Sequence, residues 1–477
     1  MDNRPSLLIG MSLFEADLYE YVKKTKENLV FMESSLIKAK EVYIQTKCPC
    51  YTWEMLENPN YGLEQRIQAF LAYTPPERKD KIREQILMEL NKNIKIERGR
   101  LEHYFNLAQR TWINNLPYQE LKITIALIVA CAKALNNIHK LKAIVSSNLP
   151  HELGDYIIYK EIEKVGEDLK KISFYPSPVS GMYFAIKEIN EESTEVISSS
   201  TIKKLNEERK RDAIILEYVN KVNSSLTSNE TITSGILPYS KEMTERVMTL
   251  TKKREKKAKE RLLTTEVGIK FTKSAVKAKT ALSIREINNL EKFKRNGRLH
   301  LFAMHFEPEM TFMPACGTRF STQIDIVTYI LEKIEPEDTL IIKEHPGQWG
   351  LQYLADGGHY LPYPEAYRSQ LYYEMITADS RVKIVNHKIS TKRILKELDI
   401  HLWTVNGSVT LECWLLNREQ TILGLYNPWK FIEVKSKKVK EKTKFLEEAL
   451  ISRLIKPKDE LQIIDQLIGE EYKIENV

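Results

Sequence analysis

Two segments decide the fold of this chain: Thr339-Leu-Ile-Ile-Lys-Glu-His-Pro-Gly347 and His401-Leu-Trp-Thr-Val-Asn-Gly-Ser408. Each has a short apolar run, typical of a buried strand, followed by a loop of small or polar residues. Pro346 is expected to end the first strand because proline cannot donate a hydrogen bond to a β-ladder. Asn406-Gly407-Ser408 is expected to open a helix. Loops of this kind lie at the carboxyl ends of parallel strands, where open α/β sheets bind ligands.

The second half of the chain continues this alternation. Strands are predicted at residues 298–304, 339–343, 382–385, 402–405 and 420–424, and helices at about 321–334, 369–378, 390–398 and 408–416. Strands that alternate with helices of this length predict a parallel, doubly wound sheet. One more amphipathic helix is predicted at 442–455.

The first half has a similar but less regular pattern. A strand is predicted at 7–10, helical periodicity at 13–40, and mostly helix from 64 to 139. A βαβ unit follows, with strands at 142–146 and 171–175 around a helix at 153–165. The predicted fold class is therefore α/β, with two Rossmann-type doubly wound domains that face a cleft. The predicted divisions are an N-terminal α/β domain, a polar and basic helical linker or insertion, a C-terminal α/β domain and a helical tail: 1–190, 191–297, 298–435 and 436–477.

The linker contains the most basic run of the chain. Residues 252–261 hold seven basic and two acidic side chains. Such a run is either a solvated helix between domains or an electrostatic contact with anionic membrane lipids or an anionic glycan. Nucleic acid is not a predicted partner, because no aromatic residue interleaves the run as a stacking platform would require.

Composition limits the remaining classes. The chain has 477 residues, 42% hydrophobic and 29% charged, with a net charge of +7, as in ordinary globular proteins. Its longest apolar run, 123–132, is about half of the roughly 20 residues that a membrane span needs, so we expect a buried helix. The N-terminus lacks the pattern of a signal peptide. Five scattered cysteines favour reduced thiols and a cytoplasmic location. The basic run would allow a peripheral contact with the inner face of the membrane.

The two opening loops are typical of an anion site. A strand, a Gly/Ser turn and a helix N-terminus together attract negative charge. His345 can donate to a phosphate oxygen, and a protonated ring would add charge. Ser408 is also suited to be the helix N-cap, which is compatible with that role. Glu412 lies one turn further on, either above Ser408 or in solvent, and Lys343 either adds charge or lies at the surface.

Three motifs carry a resemblance to a known family: His305-Phe-Glu-Pro-Glu309, Lys343-Glu-His-Pro346 and Thr404-Val-Asn-Gly-Ser-Val-Thr-Leu-Glu412. They resemble the bacterial capsule polysaccharide biosynthesis family, whose members include Kdo transferases. The resemblance extends to Asn148-Leu-Pro-His-Glu-Leu-Gly-Asp155. It implies a GT-B glycosyltransferase, with the acceptor on the N-terminal domain and the sugar nucleotide on the C-terminal domain.

The His-Pro pair and the serine turn also look like the motif pair with which GT-B sialyltransferases hold a CMP-sugar. Carried over, His345 and the adjacent Pro346 would contact the phosphate. Ser408 and the backbone of Asn406–Gly407 would cradle it, and Glu412 would face the ribose. The acidic base motifs of those relatives have no counterpart here. No paired-Asp motif is present either, so the expected reaction is metal-independent and needs no cofactor beyond the CMP-sugar donor substrate.

Candidates for the catalytic base lie on the loop and helix start of the first half. They are Glu152, His151 and Asp155. Glu152 and Asp155 would also stabilise the dipole of that helix, which is the simpler interpretation of both. Glu307 and Glu309 would repel a phosphate, so we expect them to bind hydroxyl groups of the sugar or acceptor. Gln348 is a further candidate for sugar contact.

The predicted function is transfer of Kdo or another ulosonic acid from a CMP-activated donor to a surface polysaccharide or glycolipid. Two alternatives stay open. The first is a sugar-nucleotide epimerase or hydrolase of the same fold, because one fold hosts several chemistries. The second is a non-catalytic glycan-assembly protein.

Overall fold

The fold consists of two α/β halves, each built on its own sheet. The computed structural model describes residues 4–10, 29–94, 102–109, 117–150, 153–163, 169–179, 181–190, 192–198, 202–204, 206, 213–227, 245, 249, 252–253, 256, 266–293, 297–307, 315–317, 319–345, 348, 368–432 and 439–455. The strands are β1 Ser6–Ile9, β2 Leu29–Glu33, β3 Cys50–Thr52, β4 Ala143–Ser146, β5 Lys170–Pro176, β6 Tyr183–Asn190, β7 Ser193–Val196, β8 Glu286–Ile287, β9 Leu299–Ala303, β10 Thr339–Lys343, β11 Val382–Val385, β12 Ile400–Thr404, β13 Gln420–Ile422 and β14 Leu454–Ile455.

Helices of seven to 22 residues connect and cover the strands. They are α1 Leu36–Thr46, α2 Leu63–Phe70, α3 Pro76–Asn93, α4 Glu102–Gln109, α5 Tyr118–His139, α6 Leu153–Glu163, α7 Ala213–Thr227, α8 Glu266–Arg285, α9 Gln323–Leu331, α10 Gln370–Ile376, α11 Thr391–Glu397, α12 Val409–Leu415 and α13 Val439–Arg453. A short 3-10 helix spans Leu290–Phe293.

The second sheet has the order β13-β12-β9-β10-β11-β8, and all of its pairings are parallel. Its central strands are buried on both faces, which explains their continuous apolar runs. The chain passes from β9 to β10 and β11 on one side, then returns to place β12 on the other side of β9. The strand order therefore reverses between β9 and β12.

The first sheet has a similar arrangement of parallel strands. Its order is β14-β6-β5-β4-β1-β2-β3, with β7 paired to β6. Strands β1 to β5 are parallel, and the order reverses between β1 and β4. Both sheets thus have the Rossmann-type order, and the predicted α/β fold class with two doubly wound sheets is confirmed.

Helix α5 forms the centre of the first half. Fourteen of its residues are buried, and it packs against α3 and α6. By length and hydropathy it would suffice to cross a membrane, which the sequence analysis did not recognise, but 72% of its apolar window is buried inside the protein. The buried helix expected around residues 123–132 is therefore confirmed.

Several contacts among the described residues join the two halves. The hydroxyl of Tyr426, beyond β13, donates to Glu188 Oε2 on β6 at 2.6 Å, and Lys160 on α6 donates to Glu188 Oε1 at 2.9 Å. Helix α13 then packs against α7, and β14 pairs antiparallel with β6. The C-terminal helix, predicted as a tail, is thereby placed against the first half.

Several local predictions need correction. Residues 29–33, predicted as helix, form β2, because a fully buried parallel strand has an apolar run without the alternation that marks a strand. Strands β3, β6, β7, β8 and β14 were not predicted, and β14 lies within the segment 442–455 that was predicted as helix. The 191–297 segment, predicted as a helical linker or insertion, contributes β7, α7, α8, β8 and the 3-10 helix. The division into four regions stays a prediction.

Gly424 provides a test of how closely the segment after β13 approaches the loop after β12. A Cβ at this position would lie 1.9 Å from the carbonyl oxygen of Val405. We expect Gly424→Ala to lower the free energy of unfolding by at least about 2 kcal/mol, because backbone would have to move. Urea unfolding measures this. Gly62→Ala is the control, since the nearest atom there is 3.7 Å away. Equal effects at both positions would contradict the close approach.

Candidate functional site

The candidate site lies where the strand order of the second sheet reverses. His305 follows β9, His345 follows β10 and Asn406 follows β12, so the loops of three adjacent strands meet at one edge. Open α/β sheets bind ligands at the carboxyl ends of strands beside such a reversal. The two loops singled out from the sequence are therefore brought to one site, with the β9 loop between them.

The ring of His305 joins the β9 and β12 loops. Its Nε2 lies 3.2 Å from the backbone nitrogen of Val405 and 3.4 Å from that of Asn406. Both backbone N–H groups donate, so Nε2 must be unprotonated. Burial, helped by the nearby His345 and Arg368, lowers the pKa of His305 to about 3. The imidazole is thus a neutral acceptor that holds the start of the β12 loop.

Arg368 is the central charge beneath these loops. Its side chain is fully buried and forms a forked pair with Glu344, with Nε to Oε2 at 2.6 Å and Nη2 to Oε1 at 3.2 Å. Nη1 donates to Glu307 Oε2 at 2.5 Å. The hydroxyl of Tyr373 adds a hydrogen bond of 2.8 Å to Glu344. One guanidinium therefore joins the β9 loop to the β10 loop.

The pKa of the Glu344 carboxyl reflects this arrangement. Burial alone would raise it, but the charge of Arg368 and the hydrogen bonds from Arg368, Tyr373 and the His345 backbone outweigh burial and hold it below its ordinary value. Glu344 is therefore ionised, and the arginine charge is balanced by carboxylates within the protein.

Glu307 and Gln348 have structural partners, which corrects their predicted roles. The Glu307 carboxylate pairs with Arg368, and its side chain is only 4% exposed. Gln348 donates from Nε2 to the Glu307 carbonyl at 3.2 Å and accepts from the Glu307 N–H at 3.1 Å. Both side chains hold loops together, so neither is presented to a sugar hydroxyl. Glu309, the other predicted sugar contact, lies outside the described residues, as does Pro346.

His345 is at the site as predicted, but in its neutral form. Burial is the largest effect and lowers the pKa of this ring to about 4, although the carboxylate of Glu344 opposes the shift. The ring of Phe306 lies 5.9 Å away, between centroids. The ring is therefore uncharged at neutral pH, and it would carry positive charge only on taking up a proton.

The predicted phosphate cradle needs a second correction. The backbone N–H of Asn406 donates to His305, and that of Gly407 donates to Asn406 Oδ1 at 2.7 Å. These two groups are therefore occupied within the protein. The turn still needs glycine, because Gly407 has φ +95°. The Asn406 side chain offers another donor: it is fully buried, and its Nδ2 has no hydrogen-bond partner among the described residues.

Three other predicted donor-binding residues are placed differently from expectation. Ser408 is exposed and makes no side-chain cap bond, although it precedes α12. Glu412 is 4% exposed and buried within α12, so it does not face solvent, and its contact with ribose stays a prediction. Lys343 is buried at the end of β10, where Nζ donates to the carbonyls of Glu344 and His387. Burial lowers its pKa to about 8.

Of the three base candidates, Asp155 lies among the described residues, in the helix that follows β4 of the first sheet. The loop after β4 begins beside β1, where the Ser147 N–H donates to the Ile9 carbonyl at 3.0 Å. Asp155 lies in the first turn of α6 and is 7% exposed. The Gly154 N–H donates to Glu57 Oε1 at 2.6 Å, so a carboxylate of the protein already occupies this helix N-terminus. His151 and Glu152 lie outside the described residues.

Sequence reasoning missed the residues that organise the site. His305 was quoted within a motif without a role, and Arg368, Glu344 and Asn427 were not singled out. Asn427 Nδ2 donates to the Val405 carbonyl at 3.2 Å and to Thr410 Oγ1 at 3.0 Å, which connects the β12 loop to α12. The signal for Glu344 was its position between two candidates in the quoted Lys-Glu-His-Pro motif. Within the described part of the chain, no cluster of three His, Cys, Asp or Glu side chains could hold a metal.

Comparison with known proteins gives only distant structural similarities. No protein-family model and no curated protein matches the chain. Two solved structures align along nearly its whole length. One is the UDP-GlcNAc 2-epimerase of Neisseria meningitidis bound to UDP-GlcNAc, with 9% identity, 97% of this chain and 98% of that chain covered, and a TM-score of 0.21. The other is the glycotransferase of kitacinnamycin, with 10% identity, coverage of 98% and 100%, and a TM-score of 0.20. At these TM-scores neither alignment carries an argument.

Arg368→Met tests the buried charge network. We expect it to lower the free energy of unfolding by about 3–5 kcal/mol at neutral pH, because two carboxylates lose their partner. The matched control is Arg381→Met, whose partly exposed pair with Asp379 is expected to contribute about 1 kcal/mol or less.

The loss of unfolding free energy caused by Arg368→Met should become smaller as the pH falls. In the natural protein the pKa of Glu344 is lower in the folded than in the unfolded state, where it is about 4.3. The resulting stabilisation is fully present above pH 4.3 and is lost as the pH falls through the folded-state pKa. In the variant, burial would raise that pKa, so stability would increase as pH falls. The difference between the two proteins should shrink from pH 7 to pH 5 in urea unfolding. A constant difference would show that Arg368 acts through packing alone.

Proposed function

We propose that this chain is a GT-B glycosyltransferase that transfers a sugar from a CMP-activated donor to a polysaccharide or glycolipid acceptor. The loops after β9, β10 and β12 would bind the nucleotide. One observation carries the proposal: a fully buried amide donor, Asn406 Nδ2, has no partner among the described residues, at the point where the strand order reverses. A buried donor without a hydrogen bond costs about 1–3 kcal/mol. A ligand oxygen that accepts from Asn406 Nδ2 would therefore stabilise the complex.

The charge balance supports a nucleotide of low charge. Arg368 is paired with two carboxylates, and His345 is neutral in the free protein. The adjoining loop segments 308–314 and 346–367 contain no lysine or arginine. The phosphodiester of a CMP-sugar carries one charge, whereas the diphosphate of a UDP-sugar carries two; the carboxylate of an ulosonic acid would add a further charge, but on the sugar and not on the phosphate. With so little uncompensated positive charge, the site is better suited to the CMP-sugar.

The proposed roles follow from position. His345 would donate to the phosphate oxygen and, on taking up a proton, stabilise the departing CMP. Asn406 would donate through Nδ2 to the same nucleotide. His305 would be a positioning residue, since it holds the β12 loop without carrying charge. Acceptor activation would come from the loop after β4, for which Asp155, His151 and Glu152 stay the candidates. Kdo or another ulosonic acid stays the proposed sugar.

A thermal-shift panel of CMP, UDP, GDP and ADP tests the nucleotide. We expect CMP to raise the unfolding midpoint most, because a ligand that binds only the native state stabilises it. Asn406→Ala and His345→Asn should each remove most of that shift, whereas His387→Gln, in the loop after β11, should keep it. A larger shift with UDP would overturn the CMP assignment. In a coupled assay, sugar interconversion without acceptor would favour an epimerase, and CMP release only with acceptor supports transfer.

Nucleotide binding should also depend on pH through His345. Its pKa is about 4 in the free protein, and a bound anion would raise it, so binding takes up a proton. Affinity for a CMP methyl ester, whose phosphate does not titrate in this range, should increase as pH falls from 8 to 5, by up to about tenfold per unit. Calorimetry in buffers of different ionisation enthalpy measures the proton uptake. His345→Asn should abolish it, and a flat profile in the natural protein would rule out this role.

A further inference from the structure

Helix α8, which leads into the second sheet, has two chemically different faces. Ala278, Ala281 and Leu282 are buried on one side. The opposite side is exposed and carries Lys273, Val276, Lys277, Thr280 and Ile284, spaced by three or four residues so that they form one stripe. Val276 is 59% exposed and Ile284 is 75% exposed. The solvent stripe of this helix therefore combines lysines with large apolar side chains.

The neighbouring helix α10 also has exposed apolar side chains. It packs against α8, and Arg285 Nη2 lies 3.5 Å from Glu374 Oε1 across the contact. Leu371 and Met375, one turn apart, are 62% and 52% exposed. We call the exposed side chains of Lys273, Val276, Lys277, Ile284, Leu371 and Met375 the basic-apolar face.

Charge is concentrated at this part of the chain. Residues 252–285 hold twelve basic and three acidic side chains, a net charge of +9, whereas the whole chain has +7. All the other residues together therefore carry −2. Lys252, Lys253 and Lys256 of the basic run are exposed where they are described. Such a segment attracts an anionic surface far more strongly than the total charge suggests.

We infer that the basic-apolar face docks the protein onto a membrane that contains anionic phospholipids. Valine, isoleucine, leucine and methionine would enter the boundary between headgroups and acyl chains. The lysine stems would lie along the same boundary and place their ammonium groups among the lipid phosphates. Electrostatic attraction and apolar burial act on the same stripe, and a lipid surface offers both.

Nucleic acid fits this face less well. Its phosphates would satisfy the lysines, but aliphatic side chains give its bases neither a stacking surface nor a hydrogen bond. Docking is independent of the nucleotide assignment above, because none of its residues belongs to the loops after β9, β10 and β12.

Vesicle flotation with the full chain tests the inference. We expect the protein to float with vesicles of phosphatidylcholine and phosphatidylglycerol, to dissociate as salt is raised, and not to float with phosphatidylcholine alone. Lys273→Gln with Lys277→Gln should weaken partitioning about 25-fold, from about fivefold per lysine. Val276→Ser with Ile284→Ser should weaken it about tenfold or more, while the charge is unchanged.

Helix α1 offers a matched control. Its Ile37 and Ile44 are 73% and 49% exposed and lie outside the basic segment. Ile37→Ser with Ile44→Ser should leave vesicle binding unchanged. All these positions are exposed, so equal unfolding midpoints will show that each variant folds.

Three outcomes would overturn the inference. The first is that the Val276→Ser/Ile284→Ser variant floats as well as the natural protein. The second is that the natural protein floats equally with neutral and anionic vesicles. The third is that it does not float with anionic vesicles. Loss of vesicle binding on replacing Lys252, Lys253 and Lys256 with glutamine, with no effect of the face variants, would assign docking to the basic run instead. Displacement of bound vesicles by a short DNA duplex at equal charge would favour nucleic acid.

Discussion

The candidate site depends on one buried cation. Arg368 lies between Glu344 and Glu307, and these three side chains connect the loops that follow two adjacent strands. A buried guanidinium is costly unless several acceptors surround it, and here it donates to both carboxylates and to the His305 carbonyl. Because no partner can move without leaving a charge unpaired, the loops are held in one arrangement. His305 then transmits that arrangement to the β12 loop through its neutral Nε2.

This network also explains the chemical character of the site. A protein that binds a phosphate usually directs free cations or backbone N–H groups at it. Here the arginine is neutralised, two N–H groups of the β12 turn are occupied, and the histidines are neutral. The Asn406 amide has no hydrogen-bond partner among the described residues, and the neutral His345 ring could take up a proton. Binding through such groups couples affinity to pH more than to fixed charge.

The parallel sheet of the second half was predictable because its strands are short apolar runs separated by capped helices. Thr322 and Asp325, for example, form the capping box that begins α9. Strand β2 was not predictable by periodicity, since burial on both faces removes the alternation. At the site, the sequence placed His345 and Asn406 together because both follow strands. It could not show that Arg368, 24 residues beyond Glu344, would return beneath the same loops. Ion pairs of this kind are set by tertiary packing and leave no local pattern. The exposed stripe of α8 was hidden for the same reason, because which face is covered depends on the partner.

The return of the C-terminus to the first sheet has a consequence for motion between the halves. The polypeptide leaves the first half after β7 and α7, and it comes back after residue 432 to form α13 and β14. The polypeptide therefore crosses between the halves twice, and the hydrogen bond from Tyr426 to Glu188 lies close to the second crossing in the sequence. A twist of one half against the other would wind these two connections around each other. Opening and closing about an axis through both connections would stretch neither, so it is the motion that this topology permits at least cost.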